Sequence, residues 1–132
     1  MEGIVDTSVL VDYILLDSEL NERAKASLEK LERGFLPTVV IEELVHVLGR
    51  LKLDKRTIYE KVREVLDSYE LVNVNAENIF EAAEIIIEED GPSFGQFNDK
   101  LILSIAKERS LPLLTFDLNL IKECKENGVK LL

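Results

Sequence analysis

The sequence contains very little sulfur and no tryptophan. Of its 132 residues, one is Cys, one is Met and three are Pro. The single cysteine, Cys124, cannot form an intramolecular disulfide, and this favours a reducing compartment. The first residues also lack the basic segment with which a secretory signal peptide begins, so we expect a cytoplasmic protein.

Long apolar runs are absent as well. Uninterrupted apolar runs such as 14–16 and 85–87 are far shorter than the ~20 residues that a membrane-spanning helix needs. We therefore expect no membrane span.

Positive charge is in deficit. Sixteen Lys and Arg stand against 26 Asp and Glu, which gives a formal net charge of −10. This balance argues against a broad basic surface for nucleic acid. A function on nucleic acid would need positive charge from another source.

The apolar pattern alternates between short strand-like runs and helical segments along the whole chain. Apolar residues make up 46% of the sequence, and no repeat or linker interrupts it, so we expect a single domain over residues 1–132. Strand-like runs are predicted at 3–6, 35–37, 71–74, 111–115 and 129–132. Helices are predicted at 9–14, 21–33, 39–51, 54–66, 76–89, 98–110 and 117–127, with a break at 91–95. This order predicts an α/β domain with a mainly parallel sheet of four to five short strands, covered by helices on both faces.

Some details of the helices can also be predicted. Thr38 and Asp54 are candidate N-caps of the third and fourth helices. In the helix at 76–89, the apolar spacing predicts inward-facing side chains at Ile79, Phe80, Ala83, Ile86 and Ile87.

Three aspartates fall where a ligand site is expected in such a sheet. Asp6 and Asp117 follow strand-like runs, and Asp99 begins a helix after a glycine-containing loop. Because the carboxyl ends of parallel strands meet at one edge of the sheet, these carboxylates can converge there. For each Asp taken singly, however, a helix N-cap worth ~1 kcal/mol is the simpler explanation.

Glu43 lies inside a predicted helix, where capping cannot explain it. At ~100° per residue it borders the apolar stripe, whereas Glu42 points almost directly away. A carboxylate beside a buried face needs a partner. A cation or metal could supply it, and so could Arg50, a lysine elsewhere or a side chain that reaches water.

Four carboxylates in one cleft would repel one another strongly without cations. An all-oxygen ligand set suits Mg²⁺ or Mn²⁺ rather than zinc. Such ions activate water for phosphodiester hydrolysis, and they would supply the positive charge that the surface lacks.

Four segments, in this order, resemble motifs of the PIN-domain ribonucleases, especially the VapC-like toxins. Residues 6–10 (DTSVL) are similar to the first-strand motif, and residues 40–44 (VIEEL) to a helix with Glu before Leu. Residues 99–106 (DKLILSIA) are similar to the third motif, and residues 115–117 (TFD) to the closing Thr-x-Asp motif.

The resemblance implies a PIN-like fold and an Mg²⁺- or Mn²⁺-dependent endoribonuclease acting on RNA. It assigns the catalytic and metal-ligating roles to Asp6, Glu43, Asp99 and Asp117. It gives Ser8 and Thr115 the role of supporting hydroxyls. It further implies a homodimer and an antitoxin partner, as in a toxin–antitoxin pair.

Two positions depart from the family pattern. Asn98 precedes the third aspartate, and Lys100 stands where a small residue is common; we expect Lys100 to face solvent. The alternative to an enzyme is a catalytically silent PIN-like module that binds proteins, in which the acids persist as helix caps and share no metal.

Overall fold

The fold is an alternation of short strands and helices. The computed structural model describes residues 1–89, 91 and 93–132. In chain order its strands and helices are β1 (Glu2–Val5), α1 (Thr7–Ile14), α2 (Asn21–Glu29), β2 (Arg33–Pro37), α3 (Thr38–Arg50), α4 (Lys55–Ser68), β3 (Glu70–Val72), α5 (Ala76–Glu88), a short 3₁₀ helix (Phe94–Gln96), α6 (Phe97–Arg109), β4 (Leu113–Leu114) and α7 (Leu118–Asn127).

The strands form one parallel sheet in the order β3-β2-β1-β4. The predicted α/β class and parallel sheet are confirmed. The predicted run at 129–132 contributes a single parallel bridge, between Leu131 and Leu113, and the sheet therefore has four strands. β1 lies between two strands, and its Ile4 and Val5 are fully buried, as expected for a sheet covered on both faces.

The sheet brings distant parts of the chain to one edge. Asp6 follows β1, and its backbone N–H donates to the carbonyl of Leu114 in β4 at 2.9 Å. Because the two strands run parallel, Thr115 emerges beside Asp6 although the two residues lie 109 positions apart.

Several helix boundaries differ by a few residues from those predicted, and those of α2 and α3 change the role of a residue. α2 ends at Glu29, and Arg33 already belongs to β2. Thr38 is the first residue of α3 and not its cap, because its hydroxyl accepts from the N–H of Val74 at 3.4 Å instead. The predicted cap at Asp54 is confirmed, since its carboxylate accepts from the N–H of Thr57 at 3.2 Å.

The inward face predicted for α5 is largely wrong. Phe80 and Ile87 are 66% and 74% exposed, and Ile79 is exposed as well. Asn78 is buried instead, because its amide donates to Ser104 at 3.0 Å and to the Glu108 carboxylate at 2.9 Å. These bonds to α6 turn a polar residue inward, together with Ala82 and Ile86.

The predicted break after α5 includes Pro92, which lies outside the described residues. Gly91 has φ of 103°, a conformation that favours glycine. None of the described helices has the length and apolar character needed to cross a bilayer.

Two glycine substitutions are expected to change stability in opposite directions. In Gly34→Ala, the new methyl group meets the Tyr69 ring, with Cε1 at 2.8 Å, so the ring must move and unfolding becomes easier by about 1–3 kcal/mol. Gly49→Ala is the matched control in α3: nothing lies within 4 Å of the new methyl group, and the helix gains about 0.5 kcal/mol. Urea unfolding of both variants measures the changes, and equal midpoints would contradict the packing of Tyr69 on Gly34.

Candidate active site

Asp6 is the buried acid at the centre of the candidate site. It follows β1 and is 6% exposed. It stands at the N-cap position of α1, yet its side chain makes no capping hydrogen bond. Helix capping therefore does not account for this carboxylate.

Two hydroxyls hold the Asp6 carboxylate. Ser8 Oγ donates to Asp6 Oδ2 at 2.8 Å, and Thr115 Oγ1 donates to the same oxygen at 2.7 Å. Ser8 Oγ in turn accepts from the N–H group of Phe116 at 3.0 Å, and Thr115 Oγ1 accepts from the N–H group of Asp117 at 3.1 Å. Within the described part of the chain, no protein donor reaches the other oxygen, Asp6 Oδ1, which is not fully buried.

Glu43 lies on α3 and is half-buried. Burial, followed by the charge of Asp6, raises the pKa of the Glu43 carboxyl, and the nearby Asn98 side chain opposes this rise. Over residues 1–89, 91 and 93–132, no ion pair joins Glu43 to Arg50 or to any lysine. The Arg50 charge acts on Glu43 only from beyond ion-pair distance, where it opposes the rise of the pKa and is the smallest of the influences on it.

Asp99 occupies the third position of α6, because this helix begins at Phe97 rather than at residues 98–99. The N-cap position belongs to Gln96, so Asp99 is not a cap. Burial, followed by the charges of Asp117 and Asp6, raises the pKa of the Asp99 carboxyl to about 7. The energy of ionising Asp99 thus depends directly on the other acids.

Asp117 does act as a helix cap. Its Oδ1 accepts from the N–H groups of Asn119, at 2.9 Å, and Leu120, at 3.1 Å, at the start of α7. The simpler explanation therefore holds for one oxygen of Asp117. The capping bonds do not involve the second oxygen, Oδ2.

The structure brings three of the four predicted acids to one cavity. Asp6, Glu43 and Asp117 line a cavity of about 300 Å³, together with Ser8 and other residues of α1 and α3. Asp99 is absent from this lining, but it is near enough for the charges of the other three acids to raise its pKa. In the described ranges, no three Asp, Glu, His or Cys side chains are already arranged to hold a metal ion directly.

The donor set nevertheless fits a hard divalent cation. All the donors are carboxylate oxygens, and Asp6 Oδ1 is without a hydrogen bond. Mg²⁺ usually keeps several waters and is held by one or two carboxylates plus substrate phosphates, so a closed cage of protein ligands is not required. Asp6, Glu43 and Asp117 are the residues that could hold such an ion in the cavity.

Lys100 is buried, and the expectation that it faces solvent is wrong. It is 4% exposed, and its Nζ lies 2.7 Å from Glu123 Oε1 on α7 and 3.5 Å from Glu89 Oε2. Burial alone would lower the pKa of Lys100, but the hydrogen bond and charge of Glu123 outweigh this effect and raise it. The lysine side chain therefore connects α6 to α7 beside Asp99.

Two acids near the site did not emerge from the sequence. Asp12 lines the cavity, and it lies four residues after Ser8 on the same face of α1. The charge of Glu123 contributes to the raised pKa of Asp99, and its Oε2 is buried with no hydrogen-bond partner among the described residues. The spacing of Glu123, three residues after buried Leu120, is the signal that could have identified it.

Removing one partner of the buried ion pair should destabilise the protein. Glu123→Ala leaves the Lys100 charge buried beside Glu89 alone, and we expect a loss of about 3 kcal/mol in the free energy of unfolding. Replacing both partners, by Lys100→Met with Glu123→Leu, should restore stability to within about 1 kcal/mol. As a control, Glu60→Ala breaks the exposed pair with Arg56 and should cost under about 0.5 kcal/mol. Equal losses in the single and double variants would contradict this role of the pair.

The raised pKa of Asp99 predicts a pH dependence of stability in metal-free protein. The unfolded carboxyl ionises at lower pH than the folded one, so stability falls as the pH rises towards about 7. Asp99→Asn should flatten this decline and stabilise the protein at pH 8 by about 1 kcal/mol, a figure reduced for solvent screening. Urea unfolding in EDTA at pH 5 and pH 8 measures the free energy of unfolding of each variant, with exposed Glu42→Gln as the control. Parallel pH profiles for wild type and Asp99→Asn would refute the prediction.

Comparisons with known proteins agree with this architecture. A family model described as PIN domain matches residues 3–125. No curated protein matches the sequence. Among solved structures, VapC20 of Mycobacterium tuberculosis, a sarcin-ricin loop cleaving toxin, superposes with a TM-score of 0.80 at 16% identity, over 93% of this chain and 95% of that one.

Two further structures share the fold over the whole of this chain. FitAcB from Neisseria gonorrhoeae gives a TM-score of 0.73 at 20% identity and is covered over 96% of its own chain. VapBC2 from Rickettsia felis, bound to a promoter DNA fragment, gives 0.68 at 22% identity and is covered over 98%. These solved structures show that the fold is shared. The family model, in addition, spans nearly the whole sequence. The chain therefore belongs to the PIN domain family.

Proposed function

We propose that this protein is an Mg²⁺- or Mn²⁺-dependent endoribonuclease that hydrolyses phosphodiester bonds of single-stranded RNA. One observation carries the proposal: acids that lie far apart in the sequence, Asp6, Glu43 and Asp117, line one cavity at the carboxyl edge of a parallel sheet. The raised pKa of Asp99 adds a fourth acid within their electrostatic reach.

The residues of the site would have distinct roles in this reaction. Asp6, Glu43, Asp99 and Asp117 are the proposed catalytic and metal-binding acids. When bound, a divalent cation would supply positive charge to the phosphate and activate water for in-line attack. Ser8 and Thr115 orient Asp6 by holding one carboxylate oxygen, so that the other is directed to the ligand.

Orientation of the acids by their neighbours continues around the cavity. Asp117 is fixed by the first turn of α7, so one more carboxylate is oriented before any ligand arrives. Such preorganisation reduces the rearrangement needed when the substrate binds.

We further propose that the protein is the toxin of a toxin–antitoxin pair and acts as a homodimer in the cytoplasm. The solved structures that share its fold include a sarcin-ricin loop cleaving toxin and toxin–antitoxin complexes, some of them bound to DNA. These likenesses support an antitoxin protein as the partner of this chain.

One observation favours the alternative of a silent protein-binding module. Within residues 1–89, 91 and 93–132, no three acids are yet arranged around a metal position, and Asp117 already serves as a cap. The silent module predicts that divalent cations do not bind at the cavity, and calorimetry with Mn²⁺ alone tests this prediction.

Activity should depend on the cavity acids and on the metal. Asp6→Asn and Glu43→Gln each remove a charge from the cavity, and we expect cleavage of a labelled single-stranded RNA in Mn²⁺ to fall by about 100-fold or more. EDTA should abolish the wild-type reaction, and excess Mn²⁺ should restore it.

Glu42→Gln is the matched control, because it makes the same change on the neighbouring, exposed residue of α3. It should cleave at the wild-type rate. Wild-type protein that shows no Mn²⁺ binding by calorimetry and no Mn²⁺-dependent cleavage of RNA would overturn the proposal in favour of the silent module. Full activity in Asp6→Asn would remove Asp6 from the mechanism.

A further inference from the structure

Arg23 is an exposed cation that contacts Phe116, the residue next to one of the cavity aspartates. It lies in the first turn of α2, and its guanidinium carbon is 4.8 Å from the centroid of the Phe116 ring. This is the distance of a cation–π contact. Phe116 immediately precedes Asp117, which lines the cavity.

The backbone on both sides of this contact is tied to the site. The N–H of Phe116 donates to Ser8 Oγ at 3.0 Å, and Ser8 in turn holds Asp6. On the other side, the Asn21 amide donates to the carbonyl of Asp12, another cavity residue, at 3.0 Å. Arg23 is thus held between two segments that each contribute to the cavity wall.

The charge of Arg23 is not used inside the protein. Within the part of the chain that the structure describes, no carboxylate lies within ion-pair distance of its guanidinium. A planar guanidinium fixed on an aromatic face keeps its outward N–H donors for a second partner, and its fork geometry matches phosphate oxygens.

We propose that Arg23, held on the Phe116 ring, binds a backbone phosphate of the RNA next to the bond that is cleaved. This inference rests on the proposed function and names a substrate-binding residue for it. The chain has a net charge of −10, which repels a polyanion such as RNA. The positive charge of Arg23 would attract the RNA backbone close to these acids.

The affinity for a fluorescent single-stranded RNA tests the inference. It is measured with Mg²⁺ in the Asp6→Asn background, because this variant should bind RNA without cleaving it. Arg23→Ala should weaken binding about tenfold and reduce the slope of log affinity against log salt by about 0.7, the value for one phosphate contact on a single strand. Arg23→Lys should recover part of the affinity. Phe116→Leu, which keeps the charge but removes the ring, should weaken binding several-fold.

Arg56→Ala is the matched control, because it removes the same charge from an exposed position on α4. Its affinity and salt slope should stay at the values of the Asp6→Asn parent. In the active background, Arg23→Ala should raise KM and leave kcat within about twofold, the pattern of a residue that binds substrate and transition state equally.

The outcomes separate the two proposals. RNA cleaved by wild type but bound equally by the Arg23→Ala and Arg56→Ala variants would overturn the role of Arg23 and leave the nuclease in place. Loss of binding to poly-L-glutamate in Arg23→Ala, with RNA binding unchanged, would assign Arg23 to an acidic protein partner and also overturn the inference. Wild-type protein that neither binds nor cleaves RNA would overturn the proposed function and this inference with it.

Discussion

The site depends on the hydrogen bonds that two hydroxyls donate to the buried carboxylate of Asp6. Ser8 comes from the helix that follows β1, and Thr115 comes from the end of β4, so both ends of the chain meet at one oxygen. A buried carboxylate without donors would carry a large desolvation cost. The two hydroxyls offset that cost at Oδ2, and Oδ1 accepts no hydrogen bond from the described residues. The parallel pairing of β1 and β4 makes this arrangement possible, because it fixes Asp6 and Thr115 at the same edge of the sheet.

Electrostatics explains why such a site calls for a cation. The carboxyls of Asp99 and Glu43 both have raised pKa values, and in each case burial is the largest cause and neighbouring acids add to it. Ionising all of them without a counterion is therefore unfavourable. Lys100 does not supply that counterion to the cavity, because Glu123 and Glu89 already hold its charge. A divalent cation would lower the repulsion and place positive charge where an RNA phosphate must approach.

The sequence was sufficient to predict the parallel sheet and to place three acids, Asp6, Glu43 and Asp117, near one another. Asp6 and Asp117 could be placed because strand ends and helix starts leave clear local patterns, and Glu43 because helical spacing separates it from Glu42. Lys100 and the inward face of α5 could not be predicted in this way. Their burial depends on partners from other helices: Glu123 and Glu89 for Lys100, and Ser104 and Glu108 for Asn78. Periodicity within one helix carries no information about the polar groups that a neighbouring helix presents.

The central claim is that Asp6 and its neighbouring acids form a binding site for a divalent cation. Anomalous diffraction from crystals soaked in Mn²⁺ tests it most directly, because manganese scatters anomalously and protein oxygen does not. We expect a peak in the cavity about 2.1 Å from Asp6 Oδ1, with Glu43 or Asp117 bound directly or through water. A saturating soak with no peak there, and with every carboxylate oxygen satisfied by protein donors, would contradict it.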